Sequence, residues 1–323
     1  MANTVISNTF KTYESVGNRE DLTDVIYNIA PTDTPLLSNA GRATAEATYH
    51  EWQQDSLADA ASNAQLEGLN MTEFTQVTPT VRVGNYVQIS TKDVIVSGTQ
   101  EAISKAGRKS ELAYQTAKRG AELKRDMEKI ALDNQAAAAG SASVARKTGS
   151  VVAFIKTNTE KGATGADPDY TSAPTSARTD GTQRAFTEDL LKSAIQKQWA
   201  QGGKCDTLLV GAYNKTVASK FEGIATSTFN MSRAQASVII GAADVYVSDF
   251  GVITIVPDRF MRARDALLLD FDLIDIMYLR SFRRIPLAKT GDADKRMLLV
   301  EWGVKVHQEA GLAGVFDLTT AAS

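Results

Sequence analysis

The chain has 323 residues, enough for one large or two modest domains, and its net charge of −3 supplies no basic field for a phosphate backbone. Direct nucleic-acid binding is therefore disfavoured. No charged-apolar-small leader and no apolar run of about 18 residues is present, so neither secretion nor a membrane span is expected. The single cysteine, Cys205, cannot form an internal disulfide, which fits a reducing cytosol.

Residues 1–20 are polar and weakly patterned and read as an extended arm. Asp21 is placed to cap a short helix with Leu22, Val25, Ile26 and Ile29 on its apolar face, and Pro31 ends it. In PTDTPLLSNAG a second turn starts with Thr34 as cap and Pro35 at the first helical position, and Gly41 stops it. Residues 42–91 hold two alternating, strand-like arms, 47–53 and 78–90, around a polar middle. An isolated two-stranded ribbon cannot build its own core. Trp52 on the first arm and Leu66, Leu69, Met71 and Phe74 near the tip therefore call for a partner, read as another subunit.

Residues 101–139 contain no proline and are dominated by good helix formers. One helix over that span would run about 58 Å. Ile103, Ala106, Ala113, Ala117 and Ala121 fall close to one stripe, and Leu112, Leu123, Met127 and Ile130 to a neighbouring one. Gly107 and Gly120 each cost about 1 kcal/mol against alanine, implying close packing or a bend. The large aliphatics of a coiled coil are not sustained, so a single spine laid across a sheet is favoured.

Residues 140–184 read as a Gly- and Ser-rich linker apart from a strand at 151–156. Residues 185–280 read as a compact α/β block. Thr187 caps a helix to Ala200 with Leu190, Leu191, Ala194, Ile195 and Trp199 inward, and Gly202 and Gly203 stop it. A buried strand at 207–211, a short helix at 214–221, a hairpin turned at Asp249, Phe250 and Gly251, and strands at 266–270 and 273–279 follow. In the tail, 297–308 and 312–318 are strand-like. Leu298, Val300, Trp302, Val304 and Val306 make one side of the first uniformly apolar, and the tail is assigned as the bed of the long helix.

Enzyme signatures fail. GGKC at 202–205 lacks the upstream glycine and the Ser or Thr of a phosphate loop, and no G-x-G-x-x-G, H-E-x-x-H, C-x-x-C or G-x-S-x-G occurs. His50 and His307 read as structural or solvated and Cys205 as a buried, inert thiol. Asp270, Asp272 and Asp275 are the one candidate metal cluster, since carboxylates at i and i+2 share a strand face. An acid-edged strand is the preferred reading, because no histidine or second acidic cluster completes a site. Arg280, Arg283 and Arg284 read as charge partners of those acids, within or between subunits, and residues 261–264 as a solvated turn.

The order of parts, with IYNIAPTDTPLLS at 26–38, GNYVQISTKDVIVSGTQEAI at 84–103, ELKRDMEKIAL at 122–132 and KTGDADKRMLLVEWGVKVHQEAG at 289–311, resembles the tailed-bacteriophage major capsid proteins of the Hong Kong phage type. The resemblance implies an α+β capsid fold. Its parts would be an N-terminal arm (1–41), an extended E-loop hairpin (42–93), a P-domain with the spine helix (94–184) and return strands (281–323), and an A-domain (185–280). It implies a non-enzymatic shell protein without cofactors that assembles with itself as pentamers and hexamers in the virion. The protein would be made in the host bacterial cytoplasm, with no membrane partner. Separate scaffolding, portal and cement proteins are the expected partners, with DNA only as enclosed cargo. Some relatives join subunits through an E-loop lysine, but residues 42–91 contain none, so non-covalent joining is expected. Some carry a long scaffolding segment before the arm, and here the arm starts at once, so a separate scaffold or a chain already lacking one follows. Two alternatives stay open: an encapsulin-type compartment shell, and a metal-dependent enzyme built on Asp270, Asp272 and Asp275.

Overall fold

The computed structural model describes residues 33–321 apart from 59, 66, 70–75, 106 and 222–243. The expected arm and the helix at Asp21–Ile29 lie outside the described residues. The elements in chain order are α1 (Pro35–Asn39), β1 (Gly41–Thr44), β2 (Tyr49–Gln54), β3 (Val81–Tyr86), β4 (Gln88–Ser97), α2 (Gly98–Ala102), α3 (Glu111–Leu132), α4 (Val151–Phe154) and β5 (Thr159–Glu160). They continue with α5 (Glu188–Ala200), β6 (Thr207–Val210), α6 (Ala212–Ala218), β7 (Val245–Ser248), β8 (Gly251–Pro257), β9 (Ala266–Leu269), β10 (Ile274–Pro286), β11 (Ala293–Val306) and β12 (Ala313–Val315).

These make one sheet of order β1-β10-β11-β4, a second of order β5-β12-β9-β6-β8-β7, and the ribbon β2-β3. In the first sheet β11 runs antiparallel to both its neighbours, while β1 pairs parallel with β10. The alternation read in the tail holds: Leu298, Val300, Trp302, Val304 and Val306 are all buried and pack with Leu123, Met127, Ala131 and Leu132 of α3. The long helix thus lies across β4 and β11.

That helix is shorter than its composition suggests. α3 has 22 residues, about 33 Å, and α2 is a separate turn before it. Gly107 takes φ +74° between them. Glu101, on α2, turns its carboxylate onto the amides of Glu111 (3.0 Å) and Leu112 (3.2 Å), and Ser110 accepts from Ala113. The Glu101 carboxylate satisfies two of the first amides of α3, a tie that helix propensity cannot register. After Leu132, Ala137 and Ala138 bond instead to Pro174 and Lys147.

Several other expectations are corrected. Thr34 starts α1 but makes no side-chain cap; Glu128 of α3 supplies it from 92 residues away. Residues 140–184 are not a linker. Ser150 caps α4, a fully buried helical turn where a strand was expected, and Tyr170 donates to the Phe154 carbonyl at 2.7 Å. Glu309 accepts the amides of Lys156 and Thr157, each at 3.2 Å. Such polar ties have no hydrophobic period, so the segment reads as structureless from its residues alone. The second tail strand is not part of the helix's bed: β12 sits in the other sheet between β5 and β9.

α5 has the expected cap, Thr187 accepting from Leu190, but Trp199 points outward and Gln198 takes the inner position, donating to Gly311 at 2.7 Å. The strand expected through residues 78–90 breaks at Val87, where β3 leaves for the ribbon and β4 joins the sheet. Asn85 holds that junction. Its amide donates to the Gly149 (3.0 Å) and Val304 (2.7 Å) carbonyls while its oxygen accepts the Gly149 amide at 2.8 Å.

Leu123→Ala is expected to cost about 2–5 kcal/mol, because nothing around a fully buried site between helix and sheet can collapse into the gap. Urea unfolding of the soluble subunit checks it, with a lower midpoint and an unchanged slope.

Candidate interaction surfaces

The ribbon β2-β3 is anchored at both ends of its paired length and unsupported beyond it. Tyr49 lies against Tyr86 with ring centroids 4.7 Å apart, and the Gln54 amide donates to the His307 carbonyl at 2.7 Å. Trp52 is turned inward, 6.0 Å from Phe154, so the chain's own core supplies its contact. Past Gln54 the chain leaves the ladder. Leu57 and Val77 are 97% and 86% exposed and Leu69 is about half so, whereas Leu66, Met71 and Phe74 lie outside the described residues. Residues 55–80 carry Asp55, Asp59, Glu67 and Glu73 and no basic side chain. The tip is thus both apolar and acidic.

A groove of opposite character runs between α3 and the end of β10. One part, about 740 Å3, is lined by Ala113, Ala117, Gly120 and Ala121 on the helix and by Phe282, Arg283 and Arg284 on the strand. It continues through Lys124 and Phe282 into a hollow of about 570 Å3 beside Leu37 and Tyr278. Phe282 is 42% exposed, and a Cβ added at Gly120 would meet nothing within 4 Å. The glycine therefore serves no close packing inside the chain. Lys124, Arg283 and Arg284 are exposed and make no ion pair among the described residues. Arg280 is different: its Nε donates to Glu301 at 2.6 Å, and Arg146 pairs with the same buried carboxylate. Arg280 is therefore a partner of Glu301 rather than of the Asp270 cluster.

Far from this groove, β7 forms one edge of the six-stranded sheet. Val245, Val247 and Val252 are exposed on its outer face, and Trp199 lies 5.2 Å from Phe250 at the hairpin tip. An apolar patch of this kind marks a contact surface more often than a bare one.

The three candidate metal ligands do not converge. Asp270 follows β9 and accepts the Asp272 amide at 3.0 Å, capping a 3-10 turn at Phe271–Leu273 that interrupts the expected strand. Asp275 on β10 pairs with Nε2 of His307 at 2.7 Å. Among the described residues no group of three or more His, Cys, Asp or Glu could hold a metal ion. Burial pushes the Cys205 thiol up to about 12, which removes its nucleophilic thiolate at neutral pH.

The residues read as a solvated turn form instead a buried ionic junction. Met261 is in the core, and Arg262 contacts Asp180 (2.6 Å) and Asp265 (3.0 Å). Arg264 reaches Asp317 (2.8 Å) and Asp180 (3.1 Å), and Arg178 pairs with Asp167 (2.7 Å) and stacks on Phe316. Asp317 also accepts the amides of Gly162 (3.1 Å) and Gly181 (2.8 Å), at a φ of +63°. Its partners stand 53 to 155 residues away, so no local pattern could have signalled it.

The comparisons with known proteins then decide the identity. The family model for the SU10 major capsid protein matches residues 5–319. The chain belongs to that family. The major capsid protein of Escherichia phage Phieco32 is 29% identical over 355 residues, covering 97% of both chains. Two solved structures share the fold over nearly the whole chain. The Cyanophage A-1(L) capsid has TM-score 0.65 and 14% identity, covering 96% of this chain and 99% of that one. Gordonia phage Cozz has TM-score 0.61 and 11% identity, covering 100% and 99%. This SU10-family protein is a tailed-phage major capsid protein that forms the icosahedral shell of the virion, a structural protein and not an enzyme. Family membership decides against both the encapsulin and the metal-enzyme readings. Among the described residues no helix is long and apolar enough to cross a membrane.

Asp317→Ala is expected to cost about 3–5 kcal/mol, since it leaves Arg264 and two amides without their shared acceptor in a buried site. Asp317→Asn should cost less, because asparagine tolerates the left-handed backbone and keeps one acceptor. The order of thermal midpoints, native above Asn above Ala, is the measurement.

Proposed function

We propose that the acidic, apolar tip of the ribbon is the reaching contact of the shell: residues 42–93 act as an E-loop laid over a neighbouring copy. The observation that carries this is the exposure of Leu57, Leu69 and Val77 on a hairpin that the described residues leave uncovered. Leu66, Met71 and Phe74 join them in the contact. The seat on the neighbour is the groove between α3 and β10. Its exposed Phe282 and small-residue wall suit apolar side chains, and Lys124, Arg283 and Arg284 face four acids that have no basic neighbour. Each such exposed ion pair is worth about 0–1 kcal/mol and is screened by salt, so the contact is modest taken alone.

Modest contacts suffice in a closed shell. Arm, E-loop, β7 edge and the P-domain edge each contribute, and ring closure into pentamers and hexamers converts them into avidity. We assign residues 94–184 and 281–323 to the P-domain and 185–280 to the A-domain, with β12 as the tail's insertion into the A-domain's sheet. The absence of lysine from residues 42–91 supports joining without covalent bonds. Separate scaffolding, portal and cement proteins complete the particle, with DNA as enclosed cargo.

Deleting residues 56–72 should leave a folded subunit or capsomer that no longer closes into shells, as seen by negative-stain electron microscopy. Full-size particles from that deletion would sink the E-loop role. The pair R283E and R284E should raise the protein concentration needed for assembly while leaving thermal unfolding of the subunit unchanged.

A further inference from the structure

Strand β1 sits at the margin of the four-stranded sheet and uses one of its two edges. It runs parallel to β10, and the Ala45 amide donates to the Tyr278 carbonyl at 3.0 Å. Successive residues of a strand turn their N–H and C=O groups to opposite edges. Ala43 and Ala45 therefore bond to β10, while the N–H and C=O of Arg42 and Thr44 point away from the sheet. Among the described residues no strand receives them. An open edge of this kind is a template for another chain, and β1 carries no proline, bulge or lysine to block it. The edge is also rigid. Ala43 packs against the cluster of Ala45, Val87 and Met277, and a Cβ added at Gly41 would clash with Asp275. His307 holds that aspartate at 2.7 Å, and Glu128 caps α1 just ahead of the strand. A preformed edge costs an incoming strand little beyond its own ordering.

Arg42 and Thr44 share register with Ile276 and Tyr278, so their side chains lie on the α3 side of the sheet. There they line the hollow of about 570 Å3, which leads past Phe282 to Arg283 and Arg284. Arg42, like Lys124, is exposed and makes no ion pair among the described residues. Two other sheet margins suit an acidic strand less. Beside β7, Lys192, Lys204 and Lys215 are already paired with Glu188, Asp206 and Asp244. On β4, Lys92 pairs with Asp126 and Asp93 is exposed.

We propose that residues 55–80 of a neighbouring copy add to β1 as a further strand; this rests on the E-loop reading and gives it a mode of attachment. Past Gln54 these residues pair with no strand among the described residues, so their main-chain groups are open to a partner's edge. Asp55 and Leu57, at i and i+2, share one side of an extended chain, and Leu57 is almost fully exposed. Main-chain bonds to Arg42 and Thr44 supply the attachment. Alternate side chains enter the hollow, apolar ones beside Leu37 and Phe282 and acids beside Arg42 and Lys124. A strand added to β1 must run along the sheet margin, so the mode fixes the angle between neighbouring subunits as well as holding them.

Hydrogen–deuterium exchange of assembled shells against free subunits tests this. In the shell, a peptide spanning residues 39–46 should exchange about tenfold more slowly at two amides, those of Arg42 and Thr44, and a peptide spanning 55–65 should slow with it. T44P removes one outward N–H and leaves the bonds to β10 in place, since proline is tolerated on the free side of an edge strand. It should raise the concentration needed for assembly about fivefold with the thermal midpoint of the subunit unchanged, whereas T44V, which keeps the N–H, should assemble as the native chain does. If T44P does not fold, the exchange comparison on the native chain decides alone. Equal exchange in shell and free subunit overturns the proposal. So does slow exchange of Arg42 and Thr44 already in the free subunit, which means that the chain's own residues cover the edge. Protection of 39–46 without that of 55–65 overturns it too, because another segment then fills the edge. Native assembly of T44P beside impaired assembly of R283E with R284E removes the added strand and leaves the groove contact standing. Full-size particles from the 56–72 deletion remove both.

Discussion

β11 is buried on both faces, and the rest of the molecule is arranged to cover it. One face presents Leu298, Val300, Trp302, Val304 and Val306 to α3 and α4, and burying each such side chain is worth about 1.5–3 kcal/mol. The other face carries Leu299, Glu301 and Gly303, also buried, which is why Arg146 and Arg280 must converge on Glu301 from different parts of the chain. A charge placed there without cations would cost more than the strand's pairing returns. Coverage of a central strand from both sides makes a plate, and a plate leaves its margins for neighbours.

Between the two sheets the chain adds polar joints to an apolar core that residues of both sheets share. Asn85, Asp317 and the Arg178–Arg262–Arg264 group each tie three or more segments that are far apart in sequence, and Glu309 ties the tail to residues 156–157. Such joints specify geometry tightly, because each loses its whole value if one partner moves. For a subunit that must present several surfaces in fixed relation to its neighbours, that rigidity matters as much as stability. The acidic hairpin tip and the basic groove are exposed and salt-screened, so they fit a contact made and adjusted during assembly.

Much of this was legible from the residues. Period-2 alternation found the ribbon and β11, and the Thr187 cap with acids in its first turn found α5. Asp-Phe-Gly found the β7-β8 turn. These signals are local, repeating every two to four residues, and a side chain reports them without knowing what lies across from it. The candidate contacts were legible only as exposed-looking types. Trp52 and Arg280 looked like surface residues until Phe154 and Glu301 were found beside them.

The sequence by itself determined most strand and helix types, α4 being the exception, with the order of parts and the family they resemble. The tertiary structure alone decided where α3 begins and ends, that 133–186 is packed, that β12 belongs to the second sheet, and that residues 261–264 are an ionic centre. In each of these the deciding partner is far along the chain: Glu101 across a glycine bend, Glu309 and Asp317 from the tail, Glu128 onto α1. Hydrogen bonds between distant polar groups leave no periodic trace, and they outcompete the weak local preferences that composition records.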